Sequence, residues 1–196
     1  MRRTLLIFGV LTAVAIAGGK FEYVGTHKCA GCHKSKKKGA QYKVWLETKH
    51  AHAWEALETE KAKEIAKKKG LKTAPNESPE CVRCHTVGFG KGGYEIKPAS
   101  FWNDPNAKKA IKRMTNLRNV GCEACHGPGS GYKKKKVMQG IFNGSLKAAD
   151  YGLVMPDENT CKQCHNQESP TYKKFVYNEF VKKIAHPNPE SMKKGK

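Results

Sequence analysis

The sequence predicts a mainly α chain with little sheet, its helices and loops wrapped round a core that side chains alone do not fill. Three observations carry this. One pentapeptide, C-x-x-C-H, occurs four times and accounts for every cysteine. Residues 42–66 and 172–185 both read as amphipathic helices. Finally, 37 Lys and Arg face 17 Asp and Glu for a formal charge of +20, and only 38% of the 196 residues are apolar.

Residues 1–17 read as an export signal. Arg2 and Arg3 give a basic start, Leu5 to Ala17 an apolar stretch, and Ala15-Ile16-Ala17 a small-x-small cleavage site. The apolar run is about 13 residues, short of the roughly 20 that span a bilayer. One domain, 18–196, is therefore expected after cleavage, with no spanning helix. Export brings the cysteines into an oxidising compartment, where disulfides are their usual use. It also makes the basic charge a poor argument for nucleic acid, and runs such as Lys36–Lys38 are read as solvated.

The repeats are Cys29-Ala-Gly-Cys32-His33, Cys81-Val-Arg-Cys84-His85, Cys122-Glu-Ala-Cys125-His126 and Cys161-Lys-Gln-Cys164-His165. This is the signature of c-type haem attachment. Two thiols three positions apart on one turn bond both vinyl groups of a single haem, and the adjacent histidine meets the iron as proximal ligand. Zinc ribbons and redox dithiols also use C-x-x-C. Neither requires a histidine each time, and the intervals Cys32 to Cys81, Cys84 to Cys122 and Cys125 to Cys161 all exceed the about 15–20 residues between the halves of a zinc ribbon. Four covalent haems are expected, at His33, His85, His126 and His165. They would form much of the core, and each ferric haem with two propionates adds about −1 of charge.

Between the motifs, residues 42–66 are rich in Lys, Glu, Ala and Leu and are stopped by Gly70. Leu46, His50, Ala53, Trp54 and Leu57 recur at helical spacing, with His50 in the middle of their face. His52 is two residues on, about 200° round a helix, on the side of Trp45. His50 is thus the better distal ligand, and His52 is expected to face solvent or another haem. Residues 72–79 read as a linker with Pro75 and Pro79, residues 88–96 as a glycine-rich turn or short hairpin, and Gly127-Pro128-Gly129 as a chain break. In the second helix Tyr172, Val176, Phe180 and Ile184 follow i, i+4 steps. His186 ends it before Pro187, a natural place for a ligand held over a haem. His27, two residues before Cys29, is a weaker distal candidate, as is His52.

Taken in order, the first motif, Trp45, His50-Ala51, the second motif with Gly88-Phe89-Gly90 and Gly92-Gly93-Tyr94, then Val120-Gly121-Cys122-Glu123-x-Cys125-His126-Gly127-Pro128-Gly129 resemble the tetrahaem cytochrome c-554 family of nitrifying bacteria. The resemblance implies a mainly helical multihaem cytochrome c fold draped over four closely spaced haems, working as an electron carrier outside the cytoplasm. It also implies distal ligation by His50 and His186, and an open, five-coordinate iron on His85. The family has a further distal histidine about ten residues after the third motif. Here that place falls near Lys136, in a lysine run at 133–136.

The expected function is that of a periplasmic or extracellular carrier of single electrons, with no catalytic residues. The basic surface points to redox partners with acidic docking patches. Two alternatives stay open at this stage: a reductase of a small ligand such as nitric oxide or nitrite at an open iron, and a subunit of an oligomer or extracellular filament to which His27 contributes. For the haem without its family histidine the alternatives are Lys136 or a neighbour in the run, Met138, a relocated His27 or His52, or no ligand at all. A solvated lysine, with a pKa of about 10.4, is a poor ligand.

Overall fold

The computed structural model describes residues 19–186 and Asn188; the expected signal at 1–17 lies outside them. The described residues form short helices and no strands: α1 Thr26–His33, α2 Gln41–Leu46, α3 Glu60–Lys68, α4 Pro79–His85, α5 Ala99–Trp102, α6 Lys108–Thr115, α7 Cys122–His126, α8 Lys135–Phe142, α9 Glu158–Lys162 and α10 Tyr177–Phe180, with single 3-10 turns between several of them. An isolated antiparallel bridge joins Thr86 to Arg118. None of the described helices is long and apolar enough to cross a membrane.

The long helix expected at 42–66 is broken. It divides into α2, 3-10 turns at Lys49–His52 and Glu55–Glu58, and α3. Two threonines account for the breaks, since a hydroxyl that bonds nearby backbone competes with the helix ladder. Thr48 is extended (φ −95°, ψ 157°) and donates its hydroxyl to the Trp45 carbonyl at 2.7 Å. Thr59 is also extended and caps α3, accepting from the Ala62 N–H at 3.3 Å. The predicted apolar face is therefore incomplete. Ala53, Trp54 and Leu57 are buried, whereas Leu46 is 40% exposed.

The helix expected at 172–185 is also shorter, reduced to α10 and a turn at Val181–Lys183. Val176 is extended at φ −116°, and Tyr172 and Val176 are 40% and 36% exposed. The linker contains a 3-10 turn, Pro75–Glu77, and α4 starts at Pro79. Proline suits both first positions, where its fixed φ costs no hydrogen bond. Residues 88–96 make a turn without strands, closed by the Gly93 N–H on the Gly88 carbonyl at 2.9 Å and the Tyr94 N–H on Val87 at 2.8 Å. A β-carbon at Gly93 would run into the Val87 carbonyl.

Trp54, Leu57, Val82, Val87, Tyr94, Met114 and Leu117 form the side-chain core, packed round the second motif with Cys81 at its edge. The first and third motifs are joined differently. Glu123 on α7 is 1% exposed, and its carboxylate accepts from the Val24 N–H at 2.9 and 3.1 Å, Gly25 at 2.7 Å and Gly129 at 2.6 Å. Backbone amides thus hold a buried negative charge and tie the chain ahead of α1 to the loop after α7. Gly121 lets α1 and α7 approach, since a β-carbon there would strike the Thr26 hydroxyl.

Candidate haem sites

Three of the motifs lie on or close a helix, in α1, α4 and α7. The fourth starts in α9 and continues its turn through the His165 N–H on the Cys161 carbonyl at 3.0 Å. Each cysteine pair therefore sits on one turn. No disulfide forms among the described residues, and no three of their His, Cys, Asp or Glu side chains are placed to hold a metal ion. A structural zinc site needs four such ligands. The donor set instead comes in pairs.

His50 and His165 face one another with ring centroids 6.0 Å apart, and His126 and His186 do so at 5.9 Å. Two imidazoles on opposite faces of one metal, each bonded through nitrogen at about 2 Å, have centres roughly 6 Å apart. Both pairs fit an axially ligated haem iron. Backbone bonds fix each partner. The Val120 N–H donates to the His50 carbonyl at 3.0 Å, while the Trp45 indole donates to the Val120 carbonyl at 2.9 Å. Around His126, the Val154 N–H reaches its carbonyl at 2.9 Å and its Nδ1 lies 3.1 Å from the Val154 carbonyl.

The other motif histidines are oriented in the same way. His33 Nδ1 lies 3.2 Å from Gln41 Oε1, and His85 Nδ1 meets the Ala53 carbonyl. When Nδ1–H donates to oxygen, Nε2 is left as the metal-binding nitrogen. Burial lowers the pKa values of His50, His126, His165 and His186, which favours the neutral imidazole that ligation requires. His165 is braced by aromatic contact instead, with Phe175 stacked at 4.8 Å and Phe180 at 6.2 Å. The i, i+4 stripe omitted Phe175. Its only sequence signal is a place five residues before Phe180.

Among the described residues, no second imidazole packs on His33 or His85. His27 is exposed, and so is His52, whose Nε2 lies 3.1 Å from the Leu46 carbonyl. The structure brings neither to a motif histidine. The lysines at 133–136 are exposed, and Lys135 and Lys136 open α8 rather than extend a loop.

The sulfurs converge across motifs. The thiols of Cys29 and Cys122 lie near enough to shift one another's pKa, as do those of Cys84 and Cys164, and Cys161 helps to raise that of Cys125. In the free thiol state the Cys164 contact brings Cys84 down to about 7, whereas burial lifts Cys125 to about 11. A thioether does not titrate, so these shifts belong to the chain before haem attachment.

A mainly helical chain with four repeats of one attachment motif and paired imidazoles beside them falls in the class of multihaem c-type cytochromes. A family model described as cytochrome c554 and c-prime matches residues 28–127. Cytochrome c-554 of Nitrosomonas europaea is 34% identical over 175 residues, covering 83% of this chain and 66% of that protein, so the chain spans just under two thirds of that relative. The solved structure of reduced cytochrome c554 from the same organism matches with a TM-score of 0.51 at 30% identity, over 89% of this chain and 83% of that one. The chain belongs to the cytochrome c554 family and is a tetrahaem c-type cytochrome with covalently attached haems.

Proposed function

We propose that the chain carries single electrons between redox proteins outside the cytoplasm, as the mature segment 18–196. The observation that carries this reading is the convergence of the motifs through their sulfurs and imidazoles. Cys29 and Cys32, Cys81 and Cys84, Cys122 and Cys125, and Cys161 and Cys164 attach the haems. His33, His85, His126 and His165 are the proximal ligands, with His186 opposite His126 and His50 opposite His165. A bound haem supplies a one-electron iron couple, tuned by axial ligand, burial and nearby charge.

The mutual influence of the cysteines on one another's pKa supports an order for the chain of sites: first, third, fourth, second. Cys29 with Cys122 makes the first junction, Cys125 with Cys161 the second and Cys164 with Cys84 the last. Exposed lysines, including the run at 133–136, fit partners with acidic docking surfaces. Reduction of a small ligand at an open iron is a second reading, favoured by the absence of a second imidazole at His33 and His85 among the described residues.

Intact mass tests the loading. The exported protein is expected to exceed its processed polypeptide by about 2.5 kDa, four haems' worth; a bare-chain mass would end the reading. Stepwise reduction by one-electron donors should then take up four electrons, and a protein that does not pass them to a second cytochrome is no carrier.

Ligation is tested by spin state. His50→Ala and His186→Ala should each convert one haem from low-spin to high-spin, while His52→Ala leaves the spectrum unchanged. A spectrum that responds to His52 and not to His50 reverses the assignment. Lys136→Ala is expected to change no spin state at neutral pH, because its side chain is exposed to solvent. A low-spin to high-spin change in that variant would make the lysine a ligand.

A further inference from the structure

Beside the second motif lies a cavity of about 230 Å³ with Trp54, Tyr94, Lys97, Trp102 and Arg118 in its wall. Arg118 belongs to the bridge with Thr86, the residue after His85. Its guanidinium packs on two indoles, 4.3 Å from the Trp54 ring centroid and 4.6 Å from that of Trp102. Ring contact of this kind takes up a face of the cation, whereas its N–H donors lie in the guanidinium plane. The guanidinium lies near enough to the Tyr94 phenol to counter part of the rise in its pKa that burial causes. Arg118 Nε is buried without a partner, and no ion pair to Arg118 forms among the described residues. Lys97 is paired with Glu95, and the acidic residue of the wall itself is Glu77, which is exposed.

A half-buried guanidinium against aromatic walls lacks the counter-charge that normally offsets its desolvation. A carboxylate supplies that charge and matches the fork of donors edge-on. A water takes up about 30 Å³, so the cavity has room for a group of several heavy atoms. We propose that it is a carboxylate-binding site in which Arg118 clasps the anion and Trp54 and Trp102 hold the guanidinium in plane. Two sources share this chemistry: a propionate of the haem at Cys81, Cys84 and His85, or a small free carboxylate. Only the first rests on the haem assignment proposed above.

The test uses haem-loaded protein whose four haems have been verified by mass, so that failed loading counts against the haem reading alone. Acetate is titrated by calorimetry at constant ionic strength, with chloride as the balancing anion, and each haem midpoint is followed against pH. A free-carboxylate site gives saturable acetate binding, weakened about tenfold or more in Arg118→Leu and partly kept in Arg118→Lys. A propionate site gives no acetate binding. Instead, the pH inflection of one haem midpoint moves to higher pH in Arg118→Leu, because an acid that loses its cation binds its proton more tightly. Arg118→Lys serves both arms if the leucine variant does not accumulate. Wild-type protein with neither acetate binding nor a pH inflection in any midpoint overturns the proposal, as does either signal unchanged in the variants.

Discussion

Replacing Cys122 and Cys125 together by Ala is expected to give a protease-sensitive chain rather than a compact protein with one haem fewer. The third motif lies between the first and the fourth, with Cys122 near Cys29 and Cys125 near Cys161. Its helix α7 also packs on α1. The side-chain core is gathered round the second motif, so little apolar surface remains to hold the first, third and fourth motifs without a macrocycle. Limited proteolysis beside intact mass distinguishes the outcomes. A protease-resistant three-haem product would show that side chains alone sustain the fold.

Glu123→Ala is expected to destabilise the protein by about 3–9 kcal/mol. The change leaves the amides of Val24, Gly25 and Gly129 without their acceptor, and each unsatisfied buried donor costs about 1–3 kcal/mol. Against a typical total of about 5–15 kcal/mol this is a large fraction. Glu123→Gln should lie between wild type and Ala, since one oxygen still accepts while an amide NH₂ confronts the remaining donors. Denaturant unfolding of haem-loaded protein measures both. A loss below about 1 kcal/mol for the Ala variant would mean that water satisfies these amides.

The two variants also mark what the sequence reveals and what it conceals. The attachment motif is local chemistry: sulfur, sulfur and imidazole on one turn, legible wherever it occurs, and four copies led to the cofactor and the fold class. Helix limits were harder to read. Residues 42–66 carry good helix formers throughout, and the breaks depend on hydroxyls at Thr48 and Thr59 that compete for backbone groups. His50 lies beside His165 although the helix face predicted to carry it is broken. Glu123 shows no signal of its own, because its partners at 24 and 25 lie about a hundred positions away. Arg118 reads as one more basic residue until folding places Trp54 and Trp102 against it.

The Glu123 clamp also bears on the timing of synthesis. Val24 and Gly25 are 99 and 98 positions from Glu123, and Glu22 exchanges hydrogen bonds with Ser130 across 108. A chain made amino end first cannot close this clamp until residue 130 has emerged. At roughly 5–20 residues per second, that delay is on the order of 5–20 s. Throughout it, the segment that carries Cys29, Cys32 and His33 lacks this tie. The motif made first thus depends for its anchor on a carboxylate nearly a hundred positions later.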